Sequence, residues 1–410
     1  MRRRALPGPG KVPEAVLQAK YRQALACHGK GDLDSAEVLY RQILERMPKS
    51  FHALHMLGVL RGQRDDWAES ERLIGQAVGI DPSVAAAHAN HGNSLRLMGR
   101  GDEAMASYDR ALRLQPDNTR ALKGRGLILW KRQQREETLA CYEHVLRLEP
   151  DCADAWIMKG AALDALSRRD EAVASYRKAL EFDDVTHPEK IRYVLASLGS
   201  EVVPDASPLQ YVRDMFDRYA RGFENHLVKQ LNYRVPELLA AQLQPLLPAG
   251  PVDVLDLGCG TGLCGVLLKP LARSLTGLDV SEKMLEEARS KEIYNTLVVG
   301  EIGAHLAPQS ETFDVIVAAD VFIYIGELSA IFRGAHRALR AGGLFAFSTE
   351  VSEHLDTRLL GSLRYAHSAA YLQRLAAESG WQVESVTRPV LREEDMKGVA
   401  GQVTVLRRPA

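Results

Sequence analysis

The run Asp256-Leu-Gly258-Cys259-Gly260-Thr-Gly262 is where the residue types and spacing of this 410-residue chain point most directly to chemistry. Three glycines at alternate positions follow the apolar stretch Val252–Leu257. They let the backbone turn sharply at a strand's carboxyl end and approach a ligand with no Cβ in the way. A dinucleotide fingerprint needs glycine three places after the second of these, where Leu263 stands. A phosphate-binding loop needs Gly-Lys-Ser/Thr, and no such triplet follows. Asp279 ends a second apolar run, Leu275–Asp279, 17 residues after Gly262. A carboxylate there can accept from both hydroxyls of a ribose, a two-point demand that Asp or Glu meets. Asp256, Asp279 and Asp320 all stand in register with strand ends, which sets them apart from solvated loop acids.

Elements must hold these groups in place. Val252–Leu257, Ser274–Val280, Phe313–Ala319 and Leu344–Ser348 read as strands, with helices at Val266–Ala272, Glu282–Ser290 and Leu328–Leu339. Such alternation implies a parallel sheet covered on both faces. Trp381–Pro389 and Gln402–Arg407 read as a closing antiparallel hairpin at the sheet edge. The first half is built differently. Gly58, Gly92, Gly126 and Gly160 are 34 residues apart, and so are Pro48, Pro82, Pro116 and Pro150. Ala36, Ser70, Ala104, Thr138 and Ala172 form a third series, and Tyr40, Ile74, Tyr108, Tyr142 and Tyr176 a fourth. One period shared by four series marks a repeat array of helix pairs. Small residues let paired helices approach, the aromatic fills the gap, and proline ends each unit. Asp102 is placed to cap the second helix of its unit.

The repeats resemble the tetratricopeptide (TPR) pattern, best at Trp156, Gly160, Ala172, Tyr176 and Ala179. Five span Leu17–Asp184, and His187–Ser200 reads as a closing helix. The resemblance implies an all-α superhelix whose groove takes an unidentified protein or peptide. The glycine loop resembles that of class I S-adenosylmethionine (SAM) methyltransferases, which implies a Rossmann-like α/β domain with a mostly parallel seven-stranded sheet. It implies SAM as cofactor, with Asp256, Gly258, Cys259, Gly260 and Gly262 beneath its methionine part. Asp279 would take the ribose, with Val280 and Met284 following, and Glu301 and Ile302 the adenine. Asp320 opens the segment after the fourth strand. Tyr211–Leu227 and Arg364-Tyr365-Ala-His367-Ser resemble predicted bacterial methyltransferases that carry TPR repeats. That resemblance implies a lid bearing Phe216, Tyr219 and Phe223, and makes His367 the expected catalytic base, supported by Tyr365. His226, Tyr324 and Glu350 are alternatives. Methylating oxygen or nitrogen requires removal of a proton, a task suited to histidine.

The domains expected are a disordered basic arm at 1–16, repeats and closing helix at 17–200, a linker at 201–208, a helical lid at 209–250 and the methyltransferase at 251–410. Lys and Arg number 52 against 53 Asp and Glu, so no basic excess points to nucleic acid. No apolar run is long enough to span a membrane; Asp320 breaks Val315–Gly326. Five cysteines without CxxC spacing fit a reducing cytoplasm. The pairs His52/His55 and His88/His91 have no companion carboxylate, and no metal is expected. Asp320-Val-Phe-Ile is not the Asn/Asp-Pro-Pro-Tyr/Phe signature of amide and exocyclic-amine methylases. Three functions remain. The first is transfer to a small molecule or carrier-bound metabolite, with the repeats mediating protein–protein interaction. The second is a protein methyltransferase whose array recruits its substrate. The third is a SAM-binding scaffold without turnover.

Overall fold

A computed structural model describes residues 14–394 and 397–410. The chain divides into two compact units, Met1–Thr186 and His187–Ala410. The expected arm lies outside the described residues up to 13, and its last three positions already belong to the first helix.

The first unit is five helix pairs: α1 (Glu14–Gly29) with α2 (Leu33–Arg46), α3 (Phe51–Gln63) with α4 (Trp67–Ile80), α5 (Ala85–Leu97) with α6 (Gly101–Leu114), α7 (Thr119–Lys131) with α8 (Arg135–Leu148), and α9 (Ala153–Ala165) with α10 (Arg169–Ala179). The 34-residue series are its contacts. A Cβ on Gly92, Gly126 or Gly160 would lie 2.8, 2.7 or 3.0 Å from the ring of Tyr108, Tyr142 or Tyr176. In the first pair Ala24 takes the glycine place and is fully buried. Asp32, Ser50, Asp66 and Asn118 cap their helices by accepting from the third residue on. Asp102 does not, because α6 begins one residue before it; its carboxylate pairs with Arg132 instead. The suspect histidines are engaged locally: His88 Nε2 meets the Pro82 carbonyl at 2.9 Å and His55 Nε2 the Asn90 amide at 2.9 Å.

The second unit opens with α11 (Pro188–Ser197), the helix expected to close the array. Its Tyr193 is buried, and its hydroxyl meets Ser207 Oγ at 2.8 Å and donates to the Leu363 carbonyl at 3.0 Å. The segment read as a linker is fixed as well. Asp205 accepts from the amides of Gly326 and Glu327, Pro204 accepts from the Tyr365 hydroxyl, and Ala206 bridges Ile325. Backbone groups have no periodicity in sequence, so this docking leaves no trace there.

Then come α12 (Leu209–Tyr219), a π-helical turn at Asn225–Gln230 and α13 (Val235–Leu243). The sheet follows in the order β1 (Val252–Leu257), α14 (Leu263–Leu268), β2 (Ala272–Asp279), α15 (Glu282–Ser290), β3 (Thr296–Val299), α16 (Ile302–Leu306), β4 (Phe313–Ala318), α17 (Ser329–Ala338) and β5 (Leu339–Val351). The chain ends with β6 (Thr357–Leu359), β7 (Tyr365–His367), α18 (Ala369–Glu378), β8 (Gln382–Thr387), β9 (Val390–Glu394) and β10 (Lys397–Arg407). Seven strands form the main path, β3-β2-β1-β4-β5-β10-β8. Three short ones, β6, β7 and β9, attach to it and bring the sheet to ten, rather than the seven expected. β1–β5 pair in parallel, and β10 runs antiparallel between β5 and β8. The closing strands pair antiparallel at the sheet edge as expected, with β8 outermost, but the connection between them holds a further short strand, β9, that pairs β10. Alternate residues of β1 feed two cores. Leu255 and Leu257 join Phe322, Phe332, Phe345 and Phe347 on one face. Val252 and Val254 join Val235, Leu239 and Leu243 on the other. Burial of both faces explains why the central strands are nearly continuous apolar runs.

Candidate active site

The carboxyl ends of β1 to β4 open into a cavity of about 950 Å³ within the second unit. Its floor is the glycine loop. Gly258, Gly260 and Gly262 take φ of +62°, +54° and +91°, the left-handed region that side chains avoid. A Cβ on Gly258 would lie 2.5 Å from Val321, whereas one on Gly260 would meet only Phe223, at 3.8 Å. The middle glycine is thus the bare floor of the space.

Asp279 is buried at the end of β2. Its two oxygens accept from the amides of Gly260 and Ser281, each at 2.9 Å. Burial raises its pKa, against the pull of those amides. Asp256, one residue before the end of β1, is 1% exposed. One of its oxygens accepts from the Tyr294 hydroxyl at 2.7 Å; the other, Oδ1, has no partner. Burial pushes its pKa up to about 7, with the Asp279 charge adding to the rise and the Tyr294 hydroxyl opposing it. Thr261 Oγ1 is likewise buried without a partner. Two bare polar atoms, a floor without Cβ and a two-oxygen acceptor fit a polar ligand with a cationic group and a diol, as SAM is.

The expected cofactor residues divide. Asp256, Gly258, Cys259, Gly260, Asp279, Val280, Glu301, Ile302, Asp320 and Tyr219 line the cavity. Gly262 and Met284 do not. Gly262 starts α14 under Tyr294. Met284 is fully buried behind the loop, its amide on the Ser281 hydroxyl at 3.1 Å. Glu301 caps α16, taking the amides of Gly303 and Ala304 at 2.8 and 2.7 Å. Cys259 is buried, and its amide bonds the Leu278 carbonyl at 2.9 Å. Burial raises its thiol pKa well above the usual range, which removes it as a nucleophile.

The lid covers this floor. Phe216, Tyr219, Phe223 and His226 line the cavity from α12 and the π-helical turn. Tyr219 packs edge-on against both Phe223 and His226, at 5.6 and 5.3 Å, and Phe216 against Tyr324 at 5.5 Å.

The expected base is elsewhere. His367 is 1% exposed and does not line the cavity. Its Nε2 meets the Gly326 carbonyl at 3.2 Å, and its ring stacks on Tyr371. Burial lowers its pKa to about 4, which favours the neutral ring. Tyr365 is also fully buried, donating to Pro204 at 2.6 Å. Both sit on β7, whose pairing with β5 and β6 turns them into the core.

Beyond the glycine loop lies a group of charges in which Asp320 and Glu350, both expected near the site, meet Arg364, Arg392 and Glu394, which were given no role. Arg392, from β9, is 3% exposed and donates to Asp320 Oδ2 at 2.7 Å, to Glu394 Oε1 at 2.8 Å and to Glu350. Arg364 reaches Glu394 Oε2 at 2.6 Å and Glu350 Oε1 at 3.0 Å. Asp320, Arg364, Arg392 and Glu394 all line the cavity. Asp320 itself has φ +54°, rare for a side chain, and is held by Ser348, which accepts its amide at 2.8 Å. Arg364 opens the segment Arg364–Ser368 that carries the family resemblance, whereas Arg392 and Glu394 stand in no motif and were hinted at only by charged residues within the strand-like run Leu391–Glu394.

Among known families, the methyltransferase domain matches residues 254–343, and the TPR repeat and tetratricopeptide repeat match 92–133 and 123–185. The biotin biosynthesis bifunctional protein BioHC of Saccharophagus degradans is 32% identical over 157 residues, covering 37% of this chain and only 27% of that protein. A malonyl-[acyl-carrier protein] O-methyltransferase of Pseudescherichia vulneris is 30% identical over 183 residues, covering 42% of this chain and 70% of its own length. The crystal structure of magnesium protoporphyrin IX methyltransferase from Synechocystis PCC 6803 with bound SAM is 19% identical, covers 49% of this chain and 96% of that one, and gives a TM-score of 0.38. With the glycine loop, the strand-end acids and the 70% coverage of the O-methyltransferase in agreement, the chain belongs to the SAM-dependent methyltransferases and carries TPR repeats ahead of that domain.

Proposed function

We propose that this protein transfers a methyl group from SAM to an oxygen or nitrogen of a small molecule or a metabolite tethered to a carrier, and that its repeats recruit the carrier. The observation that carries the reading is the bare Asp256 Oδ1 beside the Asp279 carboxylate, over a floor that only glycine can form. SAM, when bound, supplies an activated methyl on a sulfonium, so the protein has chiefly to position the acceptor and exclude water. Asp279 would hold the ribose hydroxyls and Asp256 a donor of the methionine part. Glu301 keeps lone pairs beyond its two cap bonds and would accept from the adenine amine. Phe216, Tyr219 and Phe223 form the apolar cover that keeps water out.

His226 is the histidine in position to take the acceptor's proton, since it lines the cavity and has no side-chain hydrogen bond among the described residues. It lies in a π-helical turn, an irregularity common at functional sites. The similarity to a protein named for O-methylation of malonyl-acyl-carrier protein supports a carrier-bound acceptor. Incubating the full chain with lysate and radiolabelled SAM tests this. Label should enter small molecules or be released from protein by thioester cleavage. Label that stays on polypeptide after cleavage would make the substrate a protein side chain, and no transfer to any fraction would contradict the proposal.

A further inference from the structure

The charges at the far end of the cavity do not balance. Two guanidiniums, Arg364 and Arg392, face three carboxylates, Asp320, Glu350 and Glu394, all joined by ion pairs. Every edge of the Arg392 guanidinium is already taken by a carboxylate. Other polar side chains lining the cavity include His226, Tyr233, Tyr324 and Arg218. Arg218 is exposed, its Nε on the Asp214 backbone carbonyl at 2.9 Å, where water screens it.

We propose that this wall selects an acceptor bearing a cationic amine close to the atom that is methylated; the inference rests on the methyltransferase reading of the same cavity. Arg392 and Glu350 are buried while Asp320, Arg364 and Glu394 are partly exposed toward the cavity, and a surplus carboxylate in such a partly desolvated network is better balanced when a cation or strong donor meets it. An ammonium group entering from the cavity meets that need through charge-assisted hydrogen bonds. An anionic acceptor would find the Arg392 guanidinium claimed and would add like charge. The three carboxylates come from three elements: the segment after β4, the end of β5, and β9. Asp320 is held in a left-handed backbone conformation that non-glycine residues adopt at an energetic cost. The cavity supplies the space and the wall supplies the sign.

The test is calorimetric titration of the full chain at neutral pH with hexylamine, which is then an ammonium, and with hexanoate, each with and without S-adenosylhomocysteine. Hexylamine should bind about tenfold tighter than hexanoate. Glu394→Gln and Asp320→Asn each remove one negative charge from a different element, and either should bring the two probes to about equal affinity. Thermal melting checks that the variants are folded. Equal binding of the two probes, tighter hexanoate, or binding of neither by the unaltered protein would overturn the proposal. S-adenosylhomocysteine binding without the amine preference would leave the methyltransferase reading standing. Amine preference without S-adenosylhomocysteine binding would remove that reading and leave the amine site.

Discussion

Asp256, one residue before the end of β1, has one oxygen on Tyr294 and the other bare, and burial pushes its pKa up to about 7. A ligand that brings a cation favours the ionised carboxylate. SAM affinity should therefore rise about tenfold from pH 6 to pH 8 and level off above, and Asp256→Asn should flatten that rise. Calorimetry across this range measures it. His367 responds in the opposite part of the scale. Its pKa falls in the folded protein from 6.5 to about 4, so its neutral form contributes stability that is complete above 6.5 and is lost as pH falls through 4. Denaturant melts should show the wild type losing roughly 3 kcal/mol more than His367→Gln between those limits, while the variant keeps methyl transfer at pH 8. Equal acid sensitivity of the two would contradict the burial argument. The acids at the ends of β1 and β2 were legible because glycine spacing and strand length fix their register. The place of His367 was not, since whether a histidine faces a cavity or a core depends on short strands such as β6 and β7 that carry no pattern of their own.

At the scale of elements, the repeat glycines are contacts between paired helices. A Cβ on Gly126 would lie 2.7 Å from the Tyr142 ring, and the Tyr142 side chain is buried with no room to withdraw. Gly126→Ala should destabilise the first unit by about 1–3 kcal/mol. Gly79 also lies in a helix but has nothing within 4 Å of its would-be Cβ. Gly79→Ala should be neutral or stabilising by up to about 1 kcal/mol. Thermal denaturation of both variants checks the pair, and similar losses would mean that helix packing is not what spaces the glycines. This architecture was legible because it repeats. The charged wall of the cavity was not, because Arg364, just before β7, and Arg392, on β9, come from segments far apart in sequence, and ion pairs formed only in the fold have no local signature.

For the whole molecule, the boundary between units falls before α11 rather than after it. Tyr193 ties α11 to Ser207 and to the Leu363 carbonyl, and its ring lies 6.2 Å from that of Tyr365. A fragment of residues 187–410 should melt cooperatively and bind SAM. One of residues 201–410 should melt at a lower temperature, having lost the cover over Tyr365 and Leu359. Equal melting temperatures would move the boundary back to 200. The two folds were legible in the sequence, but their border was not: a helix that could close an array also carries the apolar face that caps the neighbouring sheet. In the proposed function the cofactor lies in the cavity above Gly260, with its ribose on Asp279. Calorimetric titration of SAM into the full chain and into Asp279→Ala, each shown to be folded by circular dichroism, tests this most directly. One site per chain in the wild type and a loss of about a hundredfold or more in the variant is the predicted result; unchanged affinity in the variant would contradict it.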